Sequence, residues 1–449
     1  MTLFRLTLVL VFASLMLPAQ EPGTLAFTKV RVVDLAKGTV GSPATIVVRN
    51  GRIESIADEA PPASVTVVDV DGQFAIPGLW DMHVHLGEAG PVHLPLMIAN
   101  GVTHVRDMGG DMALIDRWRE AIEGGTLVGP QIYAAGPILE SPRTIERFKE
   151  LLKHDLPRIG VGTPEEADGA LTQLAALGVD FAKIRTTHSP EAYRAIIAEA
   201  RKRGLSVVGH LPTGLTVLEA SEAGQRSIEH MVSGPGIRPF KGDLPELCAA
   251  LVKNGTYITP TLVAGVGFRL TPDEVVMKML DDPGSATDTR IRYAPQSAIG
   301  YWREQMDLKS QERPKFDWAK IYSDNAAIFK AMHKAGVSLL VGSDLGGPLV
   351  YPGFSVHEEL ALLANEVGMS PEEALACATA NPARFFGIEK DYGAVAVGKM
   401  ADFVLLDKNP LKEIENTKGI QGVVVQGRWL DQAALEGLLK KAEEDAGKS

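Results

Sequence analysis

Gly78-Leu79-Trp80-Asp81-Met82-His83-Val84-His85-Leu86 is an apolar run that closes on two histidines separated by one residue. In an extended strand, residues two apart face the same side. The spacing therefore predicts a strand over residues 79–86 that projects His83 and His85 together. Two neighbouring imidazoles make half of a zinc site. Taken alone, an H-x-H is more often two ordinary histidines of a half-buried strand, so the rest of the chain must supply further ligands.

Moving outward, strand and helix patterns alternate. Further strands are predicted at residues 102–107, 131–135, 181–185, 205–210, 227–231, 257–262 and 337–344, with helical patterns such as 191–203 and 215–223 between them. Eight strands alternating with helices predict an α/β fold, a (β/α)8 TIM-like barrel. A doubly wound nucleotide-binding sheet would show a glycine-rich phosphate turn after the first strand, and Gly87-Glu88-Ala89-Gly90 is not one. Short strands flank the barrel at 27–33, 44–48, 52–56 and 65–70, with Asn50-Gly51 as a hairpin turn, and again at 401–406 and 422–427. These predict a small β-sandwich domain made by both chain ends, residues 24–75 and 389–432, around a barrel at 76–388. Residues 433–449 read as a charged, solvated helix. The connections 137–165 and 264–325 are long enough to be functional loops or lids.

The chain has 449 residues, 45% apolar and 22% charged, the make-up of a soluble globular protein. Its formal net charge of −11 argues against nucleic acid as a partner, and no basic tract interleaved with aromatics occurs. Residues 1–20 have the layout of a secretory signal: Arg5, an apolar run over 6–17, then Pro18-Ala19-Gln20. That run is too short for a comfortable membrane span. Export to the periplasm or medium is expected, with no stable span after cleavage. The two cysteines, Cys248 and Cys377, have no metal-type spacing, and free thiols or one disulfide are equally compatible with the sequence.

In barrels of this kind the active site lies at the C-terminal ends of the strands. The first predicted strand ends with His83 and His85, the fourth carries Lys183, the fifth ends at His210, the sixth at His230 and the eighth at Asp344. Singly, Asp344 can cap a helix, and His210 and His230 can be satisfied core histidines. Lys183 is harder to set aside, because a lysine inside an apolar run is costly unless paired. A desolvated lysine has a lowered pKa, and its neutral amine can take up carbon dioxide as a carbamate. Coincidence at five strand ends is improbable.

These residues resemble the amidohydrolase superfamily over nearly the whole chain. Beyond the ligand set, Gly342-Ser343-Asp344 and Gly398-Lys399-Met400-Ala401-Asp402 fit. Residues 101–110, Ser227-Ile228-Glu229-His230 and Asn381-Pro382-Ala383 are similar to the imidazolonepropionase-related and prolidase-like branch. Lys183 favours its binuclear members. The resemblance implies two divalent ions, zinc foremost, one held by His83, His85, Lys183 and Asp344, the other by Lys183, His210 and His230, with Lys183 as a bridging N6-carboxylysine. It implies attack by a metal-bridging hydroxide on an amide or peptide-like C–N bond, with Asp344 as the catalytic proton shuttle. Where binuclear relatives often follow the lysine with a glycine-containing segment, this chain has Ile184-Arg185-Thr186-Thr187-His188.

The expected substrate is a small amide, such as a dipeptide or an N-acyl amino acid. A lactone or ester hydrolase on the same site is the alternative, ahead of a mononuclear deaminase or a non-catalytic binding relative. His104, Arg106, Arg185 and His188 lie near predicted strand ends as candidate contacts for an anionic substrate group, and a structural role suits each equally well. His357 reads as the opening of a late helix. Self-association is left open.

Overall fold

The structure, a computed structural model, describes residues 24–63, 65–151, 156–230, 242–285, 288–311 and 317–448. The leader expected at residues 1–20 lies outside them.

The opening apolar run is the strand Leu79–Val84, buried at every position. It pairs in parallel with Val102–Asp107, which pairs with Gln131–Ala134. A second sheet runs in the order Arg158–Gly160, Ile138–Glu140, Ala182–Thr186, Val207–Gly209, Ser227–Glu229, Tyr257–Thr259, again all parallel. Helices including Met112–Glu123, Pro164–Ala176, Pro190–Lys202 and Leu244–Asn254 separate the strands. Strands covered on both faces carry apolar residues continuously rather than in alternation, and a mixed α/β, TIM-barrel-like fold results.

Two features depart from the expected eight regular strands. The third is broken into Gln131–Ala134 and Ile138–Glu140. Gly136 between them takes φ +63°, where a side chain is strained, and Pro137 has no N–H to give a ladder. Residues 137–165, expected as a loop, therefore contain two short strands and the helix Pro142–Leu151. The eighth segment is extended but makes only isolated bridges, Leu339 to Ile258 and Leu345 to Val84. It is nevertheless tied on both sides, through Leu340 N–H to Ile258 O at 2.9 Å and Met82 N–H to Val341 O at 2.8 Å. Its regularity stops at Asp344, whose φ of +59° turns the chain out of the strand direction.

Both chain ends meet in one sheet. Its order is Arg428–Asp431, Ile420–Val425, Phe403–Leu406, Phe74–Pro77, Leu25–Asp34, Ala44–Arg49, Arg52–Ala57. Asn50 and Gly51 turn the last hairpin at φ +51° and +74°. Phe27, Phe403 and Trp429 interlock edge to face at 5.2–5.3 Å in its core.

After Tyr257–Thr259 the chain inserts a π-helix, Val266–Leu270, and the helices Asp273–Asp281 and Gln296–Gln311. They bury their own cluster of Val276, Leu280, Ile291, Trp302 and Met306 against Tyr351. Trp302 donates to Gly346 O, and Arg290 pairs with Glu358 at 2.7 Å, fastening the insertion beside the last strand segment. The C-terminal helix Gln432–Ala446 is not merely solvated as expected. Leu435, Ala442 and Ala446 are buried, and Ala442 packs with Leu96 and Tyr293. Cys248 and Cys377 are buried free thiols.

Candidate metal centre

The strand ends bring most of the expected ligands to one place. One ring nitrogen each of His83 and His85 and one Asp344 oxygen lie within 4.8 Å of one another. Nε2 of His83 is 3.3 Å from Asp344 Oδ1, and Nε2 of His85 is 3.7 Å from the same oxygen. His230 adjoins, its ring centroid 4.4 Å from that of His83 and its Nδ1 3.8 Å from Asp344 Oδ2. His210 completes the row, 4.8 Å from His230 between centroids. Lys183 is 1% exposed on its strand, and its charge acts on His83, His210, His230 and Asp344.

Local backbone explains the convergence. His230, Thr261 and Asp344 all have left-handed backbones, with φ of +69°, +50° and +59°. Such positions cost of order 1–3 kcal/mol each and gather where function needs a side chain re-aimed. Gly209 lets the fifth strand press against the Lys183 strand: a Cβ there would lie 2.0 Å from Ile184 O. His210 follows directly, its N–H donating to that same oxygen at 2.9 Å.

Two of the imidazoles are oriented from behind. His83 Nδ1 lies 2.9 Å from Glu229 Oε2, and His230 Nδ1 lies 2.8 Å from Thr261 Oγ1. Glu359, fully buried, accepts from the N–H groups of Leu262 and Val263 and so pins the turn that carries Thr261. Asp81 accepts from Ser343 N–H at 2.8 Å and Ser343 Oγ at 2.5 Å, clamping the first strand to the segment that delivers Asp344.

Burial dominates the electrostatics. Desolvation, followed by the Lys183 charge, holds His83 and His210 well below the usual histidine pKa and brings His230 down to about 3. His85 falls to about 4 through burial, against the opposing pull of Asp344. Neutral imidazoles keep the lone pair a metal needs. Lys183 drops from 10.5 to about 8 through burial, and Asp344 is raised by the same cause. His83 Nε2, His85 Nδ1 and Lys183 Nζ have no hydrogen-bond partner among the described residues although buried. Unpaired polar atoms of this kind are costly unless something else satisfies them. A nitrogen and carboxylate donor set fits a divalent ion of the zinc type.

The four expected substrate contacts divide. Arg185 is half-buried at the end of the Lys183 strand, 4.0 Å from Glu140 Oε2, and its charge lowers the pKa of His85, His210 and His230. His188 is exposed, 3.2 Å from Thr213 Oγ1. Arg106 cannot serve as expected. It is 0% exposed, and its guanidinium is committed to Glu229, Ser227, Thr259 and the Met82 carbonyl. His104 is also displaced from the centre: it stacks on Trp80 at 4.1 Å and meets Asp402 at 3.2 Å, against the strands of the terminal sheet. His357 lies inside the helix Phe354–Leu362 and bonds Thr417 Oγ1 and Asn100 O. Glu229, Thr261, Asp81 and Glu359 are the participants that pattern reading missed. A glutamate directly before His230 in an apolar strand was the one available signal.

The family described as "Amidohydrolase family" matches residues 74–430. Ochratoxinase of Aspergillus niger is 24% identical over 396 residues, spanning 76% of this chain and 71% of that protein. Imidazolonepropionase of Symbiobacterium thermophilum is 25% identical over 390 residues, spanning 80% and 82%. Among solved structures, a Bifidobacterium longum protein assigned as a prolidase superposes with a TM-score of 0.70 at 27% identity, covering 94% of this chain and 99% of that one.

Proposed function

Because the chain belongs to the amidohydrolase family, we propose that it is a binuclear metallohydrolase that cleaves the amide bond of a dipeptide or an N-acyl amino acid outside the cytoplasm. The observation that carries the proposal is the meeting of His83, His85 and Asp344 within 4.8 Å beside a buried Lys183 with no hydrogen-bond partner among the described residues. On this proposal His83, His85 and Asp344 hold one ion, His210 and His230 the other, and Lys183, as a carbamate, serves both. Zinc suits the donors. Bound ions there would lower the pKa of a water molecule and polarise the scissile carbonyl.

The chain's own groups supply the rest. The Asp344 side chain, 26% exposed and with a pKa raised by burial, can take a proton from the attacking water and deliver it to the leaving nitrogen. Neutral His83, His85, His210 and His230 present lone pairs and no competing charge. Arg185, facing the same cluster, is placed to pair with the free carboxylate of an amino-acid product half. The relatives' names, prolidase and ochratoxinase, favour a peptide-like or amide bond. The eight strand segments are taken as a closed barrel and the terminal sheet as a β-sandwich. Export rests on the apolar run at residues 6–17. No described helix is long and apolar enough to cross a membrane.

The test is metal analysis joined to a substrate panel. Two zinc equivalents per chain and turnover of dipeptides or N-acyl amino acids are expected. Cleavage confined to lactones, or a single tightly held ion, would sink the proposal. Intact mass of the exported protein reads the leader directly.

A further inference from the structure

We infer that Glu229 is the positioning residue of the metal centre: clamped by Arg106, its carboxylate holds His83 by Nδ1 so that Nε2 faces the ion. The inference rests on the metal-centre proposal above and adds a residue outside the ligand set. Glu229 is buried, its side chain fully inaccessible. Oε2 lies 2.9 Å from His83 Nδ1, while Arg106 Nη2 donates to Oε1 at 2.9 Å and Oε2 at 3.0 Å. The Ser227 hydroxyl also donates to Oε1.

This arrangement decides a tautomer. A carboxylate paired with a guanidinium is an acceptor only. Nδ1 of His83 must then carry the proton, and the lone pair resides on Nε2, the atom that turns to Asp344 at 3.3 Å and has no hydrogen-bond partner among the described residues. Such outer carboxylates fix ring orientation and raise ligand basicity.

Arg106 does more than balance charge. Its Nε donates to the carbonyl of Met82, the residue before His83, at 2.5 Å, and its Nη1 to Ser227 Oγ at 2.9 Å. One guanidinium thus fixes both the backbone that carries His83 and the carboxylate that aims it, linking the first, second and sixth strands. A buried ion pair is weak support for stability, since well-packed apolar residues often do as well. Placement against a metal ligand gives the pair a reason to exist. The sixth strand then contributes twice, with His230 as a ligand and Glu229 as the aim of His83.

The experiment measures zinc dissociation constants by chelator competition on proteins whose fold is checked by circular dichroism. Wild type is compared with Glu229→Gln and with the double variant Arg106→Met/Glu229→Met, which removes both charges together. Weakening of one of the two zinc sites by about 10- to 100-fold is expected in the single variant. The double variant separates aiming from charge balance: its unfolding midpoint should recover while its zinc affinity stays weak. If Glu229→Gln does not fold, the double variant carries the comparison alone. Wild-type zinc affinity in either variant overturns the assignment. A wild-type protein that binds no divalent ion overturns both this inference and the proposed function, whereas normal wild-type loading with unaffected variants overturns this inference alone.

Discussion

Lys183 offers the sharpest quantitative test. Burial lowers its amine from 10.5 to about 8. At pH 7 roughly 9% of the side chain is then neutral, against roughly 0.03% for an ordinary lysine, about a 300-fold gain in the form that attacks carbon dioxide. If the carbamate bridges the two ions, the second zinc equivalent should bind only when bicarbonate is supplied. Apo-protein in bicarbonate-free buffer should take up one equivalent, and added bicarbonate should admit the next. Below pH 7 the neutral fraction falls about tenfold per unit, so at a fixed concentration of dissolved carbon dioxide the initial rate of second-site loading should drop about tenfold between pH 7 and pH 6. Zinc per chain, followed with a chromogenic chelator after desalting, needs no knowledge of the substrate. Lys183→Ala should stop at one equivalent whatever the bicarbonate. Second-site loading independent of bicarbonate and pH, or two ions in Lys183→Ala, would refute the reasoning.

Arg185→Met should raise KM for substrates with a free carboxylate by about 10- to 150-fold, matching the roughly 1.5–3 kcal/mol of a charged hydrogen bond; an equal loss on the C-terminal amide of the same substrate would remove Arg185 from carboxylate binding. Asp402 is raised to about 7 by burial, against the pull of its Thr103 hydrogen bond, whereas an unfolded aspartate titrates near 3.9. The folded carboxyl therefore stays protonated while the unfolded one ionises, and wild-type stability falls as pH rises from about 4 to 7, by up to about 4 kcal/mol. Asp402→Asn lacks this slope, so urea midpoints of the two proteins should diverge toward pH 8; parallel pH curves would count against it. Trp80→Ala removes a ring 1% exposed and stacked on His104 and Tyr133, and should cost about 3–5 kcal/mol in urea unfolding without changing zinc per chain at low denaturant.

Much of the candidate centre was legible because the expected histidine and aspartate ligands lie at or just past the ends of apolar strands and Lys183 sits within one, where a polar group is out of place unless the site needs it. The hairpin at Asn50-Gly51 was equally plain, since its turn requires two positive φ values. What escaped had physical causes. In Val102–Asp107 all six residues are buried, so alternation could not tell the floor-facing His104 and the committed Arg106 from groups open to substrate. Register shifts on either side of Trp80-Asp81 further break the period of two. The break at Gly136 falls just past the predicted strand end at residue 135, and nothing in the pattern showed that the strand position resumes at Ile138. Glu229 was visible as a residue but not as a partner, because its role depends on His83, 146 positions earlier.

The clamp between Asp81 and Ser343 joins residues 262 positions apart. A nascent chain cannot make it until nearly all of the barrel has been synthesised. The first strand must therefore wait, with two histidines at its end, for the segment that carries Asp344. Loop closure over such a separation makes for slow folding. On the metal centre proposed above, the complete donor set exists only in the closed form, so bound zinc would reward completion rather than any partial state. Metal capture would then act as a check on assembly, and a chain truncated before Ser343 would have no means to pass it.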